Sequence, residues 1–256
     1  MIFMLCGTSD ARDLAISIKA CGFETLCSVV SDSAAKSLQD EGLPVRVGRL
    51  TEGEMKALLQ NGGFRAVVDA SHPFAEEAHR NAMQAARGTG IPYIRFERAS
   101  VIYGNHSRLT VVSGYEEAAL EAKRRKGSVM LTTGSKTLHI FAKHLIGDAD
   151  IRLVARMLPR RDNMEKCEEL GIEQKNIIAM QGPFTREMNE ALYRQYGTTV
   201  MVSKESGKTG AVDEKVETAL NMGIDVILIS RPEIEFGTVF SAYEDILKEL
   251  GKILVQ

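Results

Sequence analysis

Residues 65 to 74, Arg-Ala-Val-Val-Asp-Ala-Ser-His-Pro-Phe, run an apolar strand into a turn that carries a hydroxyl, an imidazole and a proline, and an alanine-rich helical stretch follows. Polar side chains and free backbone N–H groups collect at such a strand end, which makes it a place for a ligand. Pro73 suits a first helical turn, where no N–H partner is needed, and it pushes His72 into an extended conformation. The loop is therefore expected to be stiff and the adjoining helix terminus electropositive, as an anionic cofactor or substrate requires. His72 has the chemistry of a proton donor, of a phosphate or carboxylate contact, or of a loop residue bonded to backbone.

A second constellation is Leu5-Cys6-Gly7-Thr8-Ser9-Asp10-Ala11-Arg12, a strand closed by one glycine, two hydroxyl residues and a helix start. Gly7 lets backbone approach a phosphate, Thr8 and Ser9 donate hydrogen bonds, and Arg12 brings a charge one turn later. The GxGxxG dinucleotide fingerprint is absent, so by itself the segment reads first as a capped helix with a solvated arginine. Asp32 follows the second strand, where an acidic residue takes ribose hydroxyls in nucleotide-binding folds, although a helix-capping role fits it as well. Thr132-Thr133-Gly134-Ser135-Lys136 repeats the strand, hydroxyl, glycine and helix order. Val202 to Gly210 suggests a nucleotide loop but fails GxxxxGK[ST], because Val202 stands where the first glycine should. What remains there is a loop with Lys204 and Lys208, a grip for a polycarboxylate. Arg156 to Arg161 and Pro183 to Arg186 add cations at strand ends.

Elements of an alternating βα series must position these residues. Strands are predicted near 2–6, 25–30, 44–47, 65–69 and 91–95, with helices near 9–21, 33–41, 51–61 and 74–88. Thr51-x-x-Glu54 forms a capping box at the third helix. Residues 97 to 108 lose the alternation, and the domain junction is placed there, giving a Rossmann-like domain over 1–100 and a second α/β domain over 101–256. The second series has strands near 109–112, 128–132, 151–155, 177–180, 199–203 and 225–229. Its helices fall near 114–124, 135–144, 162–170, 185–196, 211–222 and 241–254, the last with Tyr243, Ile246, Leu247, Leu250 and Leu254 on one face. The expected architecture is two doubly wound parallel sheets with a cleft between them. In strand order 3-2-1-4-5, strands 1 and 4 are neighbours, so the Gly7 and Ser71–His72–Pro73 loops open into one crevice.

The 256 residues are 44% hydrophobic and 26% charged, with a formal net charge of -2. A sizeable core is available, and the charge gives no support to binding nucleic acid or a membrane surface. Cys6, Cys21, Cys27 and Cys167 show no CxxC spacing, and three lie in segments that read as buried, which suits a reduced cytoplasmic protein. No apolar run approaches the roughly 20 residues of a membrane span, and Met1 to Cys6 lacks the basic preamble and cleavage site of an export signal. His79, His106, His139 and His144 show no ligand spacing with cysteine or carboxylate, so no metal site is expected; His139 and His144 read as residues of a solvated helix face.

Taken together and in order, Gly7 to Arg12, Asp69-Ala-Ser-His-Pro-Phe-Ala75, Arg95-Phe-Glu-Arg98, Thr133-Gly-Ser-Lys136, Gln181-Gly-Pro-Phe184, Lys204-Glu-Ser-Gly207 and Ser230-Arg-Pro232 resemble the precorrin-6A reductase family of cobalamin biosynthesis. The His-Pro-Phe-Ala loop is the most specific element. The resemblance implies a two-domain cytoplasmic reductase that takes hydride from NADH or NADPH and saturates one double bond of precorrin-6A, giving precorrin-6B. A macrocycle fringed with carboxylates would explain the cations. Gly7, Thr8, Ser9, Arg12, Asp32, Ser71, His72, Pro73 and Phe74 are the expected cofactor residues. Arg98, Thr133, Gly134, Ser135, Lys136, Arg186, Lys204, Ser206 and Gly207 are the expected substrate residues, facing the first set across the cleft. Hydride transfer to a conjugated cationic acceptor needs no strong general base, so His72 and Lys204 are candidates for chemistry but are assigned binding first. Lys208, where many members carry glycine, resembles the cobalt-early branch acting on cobalt-precorrin-6A with NADH. Asp32 would repel a 2′-phosphate while Arg12 would welcome one. Other cobalamin-pathway enzymes are candidate partners. A non-catalytic tetrapyrrole or nucleotide carrier, or an S-adenosylmethionine-dependent methyltransferase, would use a similar crevice.

Overall fold

The computed structural model describes residues 1–100, 106–205, 207 and 214–255. The chain divides into two compact units, Met1–Ala99 with Pro232–Gln256, and Ser100–Arg231.

In the first unit β1 (Ile2–Leu5), α1 (Ser9–Ala20), β2 (Thr25–Val29), α2 (Asp32–Gln39), β3 (Val45–Val47), α3 (Glu52–Asn61), β4 (Ala66–Asp69), α4 (Glu76–Thr89) and β5 (Tyr93–Phe96) follow in sequence. The strands pair in parallel in the order 3-2-1-4-5. Buried on both faces, β1 must be apolar at every position. Ile2 and Met4 join the core beneath α1 and α2, while Phe3 and Leu5 join the core beneath α3 and α4. The capping box at α3 is present, with Thr51 Oγ1 accepting from Glu54 N at 3.3 Å and Glu54 Oε2 accepting from Thr51 N at 2.8 Å.

The second unit contains β6 (Leu109–Val112), α5 (Tyr115–Arg125), β7 (Gly127–Leu131), α6 (Leu138–Leu145), β8 (Ile151–Met157), α7 (Arg161–Glu169), β9 (Ile177–Ala179), α8 (Arg186–Gln195), β10 (Val200–Lys204), α9 (Glu214–Asn221) and β11 (Asp225–Ile229). These strands also form a parallel sheet, in the order 6-11-10-7-8-9. Its direction of winding reverses between β7 and β10, the second such switch point in the chain. Met130, Val154, Met201 and Val226 pack one face against Tyr193 of α8 and Val216 of α9.

Three departures from the sequence-based expectations concern the elements and the unit they join. The two units part between Ala99 and Ser100, and residues 232–256 belong with the first unit and not the second. They add β12 (Val239–Phe240), parallel to β5, and α10 (Tyr243–Val255) to the first. The apolar face of α10 is covered there, with Ile246 and Leu250 fully buried, and Arg65 donates to the carbonyls of Ile253 and Leu254 at 2.7 Å. Second, α4 starts at Glu76 rather than 74. His72–Ala75 is a turn closed by Ala75 N donating to His72 O at 2.8 Å, so Pro73 supplies its fixed φ to turn position i+1 and not to a helix. Third, α6 starts at Leu138, leaving Ser135 and Lys136 in the preceding loop. Ser206 and Lys208 lie outside the described residues. No described helix is long and apolar enough to cross a membrane.

Candidate functional site

Leu5 of β1 is in register with Asp69 of β4, and Ala70 N donates to Leu5 O at 3.0 Å. Parallel pairing therefore delivers the Gly7 and Ser71–Phe74 loops side by side at the carboxyl end of the sheet, as the strand order required. Gly7 is exposed with φ +142, a conformation strained for any side chain, and a Cβ there would touch nothing within 4 Å. The glycine is thus needed for chain direction, and the space beside it is open. Thr8 caps α1 by accepting from Ala11 N at 3.3 Å. Asp10 in the first turn would oppose an anion, but Arg98 Nε stands 2.5 Å from its carboxylate and cancels that charge. Arg98, expected among the substrate residues, thus sits beside the Gly7 loop in the first unit. Ser9 Oγ reaches Asp10 at 3.3 Å. Arg12 pairs with Asp13 at 3.0 Å and donates to Ser37 Oγ at 3.3 Å, joining α1 to α2. Asp32 is exposed as the first residue of α2, which Ser31 caps.

Under the Ser71–Phe74 turn lies a polar cluster that sequence reasoning missed. Asp69, fully buried, accepts from Ser71 N at 3.0 Å, Ser71 Oγ at 2.6 Å and Arg95 Nη1 at 3.1 Å through one oxygen. Its other oxygen faces His79 Nδ1 at 2.7 Å and accepts from Tyr93 Oη at 2.8 Å. Burial alone would raise the Asp69 carboxyl, but the His79 hydrogen bond, the charges of Arg95 and His79 and the Ser71 hydroxyl hold it well below the usual carboxylate range. Burial and the Asp69 charge push the Tyr93 phenol far up. Arg95, 1% exposed, also donates to the carbonyls of Asp69 and Ser71 at 3.1 and 2.8 Å and to Glu97 at 2.7 Å. One signal was available in the sequence: charged residues close or interrupt the otherwise apolar strands Ala-Val-Val-Asp69 and Tyr-Ile-Arg95-Phe, and charges there stay buried only when paired. His72, by contrast, is half-buried at the turn; its Nδ1 accepts from Phe74 N at 3.2 Å and its ring lies 5.8 Å from that of Phe74.

In the second unit, β7 and β10 are neighbours, and Thr132 N donates to Val202 O at 2.9 Å. The loops beginning at Thr132 and Glu205 accordingly leave the same sheet end at the switch point. Thr133 is buried with its hydroxyl unpartnered among the described residues. Gly134 has φ +79, and Ser135 Oγ donates to Asn163 Oδ1 at 2.5 Å. Lys136 is exposed. Burial first, then Lys215 and Lys136, hold the Lys204 ammonium down to about 8. Gly207 has φ +58, and Glu205 pairs with Arg231 at 3.3 Å. Arg186 is exposed on α8 and paired with Glu190 at 3.0 Å, away from this switch point. Arg156 is buried instead, donating to Asn189 at 2.8 Å beneath the Phe184 ring. His144, expected on a solvated face, is mostly covered and lies 3.1 Å from Glu116. Among the described residues no cluster of three or more histidines, cysteines and carboxylates could hold a metal ion.

Comparison with known proteins accords with this geometry. A profile of the family described as Precorrin-6x reductase CbiJ/CobK matches residues 1–251. The chain is 56% identical over 250 residues to a protein of Priestia megaterium named cobalt-precorrin-6A reductase, covering 98% of each. It is 35% identical to one of that name from Salmonella typhimurium, over 90% of this chain and 87% of the other. A solved structure titled CobK precorrin-6A reductase superposes with a TM-score of 0.80 at 26% identity, covering 98% of this chain and 96% of the other. A chain with this strand order, these two switch-point loop pairs and a family match over nearly its whole length belongs to the precorrin-6x reductase family.

Proposed function

We propose that the protein reduces cobalt-precorrin-6A to cobalt-precorrin-6B, an oxidoreductase step on one carbon–carbon double bond of the macrocycle, with NADH as donor. The carrying observation is the β1–β4 register, which sets the Gly7 and Ser71–Phe74 loops together at the amino terminus of α1. The residues present fit a dinucleotide. The backbone at Gly7 is open, the Thr8 cap takes only the Ala11 N–H and leaves those of Ser9 and Asp10 to a pyrophosphate, and Arg98 removes the repulsion from Asp10. When bound, the reduced nicotinamide supplies the hydride.

In this reading the chain's own residues orient and neutralise. Gly7, Thr8, Ser9 and His72 hold the dinucleotide, with Pro73, Phe74 and Ser71, whose polar groups are taken by Asp69 and Arg95, fixing the turn. Asp32 receives ribose hydroxyls, while Arg12, already engaged by Asp13 and Ser37, is not committed to a 2′-phosphate. The Thr133–Lys136 loop and Lys204 with Gly207 receive carboxylates of the corrinoid, Lys204 as the best-buried cation of the set. Placing donor and acceptor carbon together accounts for the rate, and no strong general base is required. A reduced cytoplasm suits the unpaired cysteines.

The test is an anaerobic spectral assay with purified protein, cobalt-containing and metal-free substrate, and each reduced dinucleotide. Consumption of NADH with the cobalt substrate is expected to be fastest. A preference for NADPH would overturn the Asp32 reading, faster turnover of metal-free substrate the choice of branch. Binding of the corrinoid without cofactor consumption would leave a carrier, and binding of S-adenosylmethionine in place of either dinucleotide would point to methyl transfer.

A further inference from the structure

Asp69, His79, Arg95 and Glu97 gather beneath the Ser71–Phe74 turn, and three of their hydrogen bonds end on the turn's own backbone. Arg95 holds the carbonyls of Asp69 and Ser71, Asp69 holds the N–H of Ser71, and His79 Nε2 lies 3.3 Å from the carbonyl of Pro73. His79 reaches them from the inner, alanine-lined face of α4, where it is 0% exposed. The ring bridges two groups, with Nδ1 facing the Asp69 carboxylate at 2.7 Å and Nε2 facing the Pro73 carbonyl. Phe236, from the segment returning to this unit, closes the cluster with its ring 5.2 Å from His79, edge-on, and 5.1 Å from the Arg95 guanidinium. An apolar core would serve folding without the desolvation of buried charges; a polar set anchored on one turn fixes the shape of that turn.

We infer that His79, with Asp69, Tyr93 and Arg95, is a positioning residue that locks the Ser71–Phe74 turn in its dinucleotide-receiving shape, an inference that rests on the cofactor reading above. His79 touches neither cofactor nor substrate; it acts through the Pro73 carbonyl and through Asp69, so that the ligand finds the turn already arranged. Loss of such a brace displaces binding groups by a fraction of an ångström to about 1 Å, which costs on the order of tenfold to a hundredfold in productive binding.

The test compares the whole protein with His79→Gln and Tyr93→Phe. NADH titration of the wild type, followed by the amide resonances of Ser71, His72, Phe74 and Ala75, comes first; if those resonances do not move, the cofactor reading itself fails. Where they move, His79→Gln should raise KM for NADH by about tenfold or more while KM for the corrinoid stays within roughly twofold. A merely structural role would lower thermal stability and active fraction and leave both constants alone, and that result overturns the inference. Should His79→Gln not fold, Tyr93→Phe, which removes one hydrogen bond, is expected to raise KM for NADH roughly threefold, and an unchanged value overturns the inference.

Discussion

Lys204 gives up its charge near pH 8 in the free protein, because burial and the cations of Lys215 and Lys136 hold its ammonium down to about 8. A carboxylate ligand prefers the protonated form, so kcat/KM for the corrinoid should fall as pH rises through about 8, and Lys204→Met should be weaker throughout and lack that inflection. An inflection that survives in the variant would remove Lys204 from substrate binding. Asp69 behaves oppositely. Its carboxyl titrates lower folded than unfolded, so the unfolded chain takes up the proton first as pH falls. The stabilisation from Asp69 is complete above its unfolded pKa of about 3.9 and drains away toward the lower folded value. Asp69→Asn should cost about 3–5 kcal/mol near neutrality, since it strands His79 and Arg95, and the gap to wild type in urea unfolding should narrow below pH 4. At this scale the sequence singled out Gly7, Ser71 and His72 by their types at strand ends, and the β1–β4 register brings their loops together. It did not show His79, because an alanine-rich helix does not reveal which face meets Asp69, ten residues earlier on another element.

Helix and strand ends were legible where one residue has one use. Thr51 and Glu54 mark the start of α3 because their reciprocal bonds serve nothing else, and Thr51→Ala should lower stability by about 1 kcal/mol in thermal or urea unfolding. Pro73 was ambiguous, since the φ that suits a first helical turn also suits turn position i+1, and the His72–Ala75 hydrogen bond settles it for the turn. β12 was invisible: two residues, one of them exposed, carry no alternation. The amphipathic face of α10 was plain, yet periodicity says that a face is covered and not by what. Leu250 shows the answer by its complete burial in the first unit's core, and Leu250→Ala should cost about 2–5 kcal/mol there.

At the scale of the whole chain, both sheets put their polar loops at a reversal of winding, β1 beside β4 in one and β7 beside β10 in the other. Strand order therefore singles out, among the many glycine and hydroxyl loops, the pairs proposed to receive ligands. Local sequence could not assign Pro232–Gln256, because parallel pairing with β5 is a contact across more than a hundred residues. A chain ended after Arg231 should keep a cooperatively melting second unit and lose that of the first, which calorimetry and limited proteolysis would show; two intact transitions would refute the assignment. The same arrangement sets a timetable for synthesis. Domains ordinarily close in the sequence in which they leave the ribosome, but here the segment made first waits for residues translated after the whole intervening unit, so the middle of the nascent polypeptide is ready before its beginning. Until then the outer edge of β5 and the groove destined for α10 stay open, and chaperones that shield bare strands have their longest engagement with the amino-terminal half.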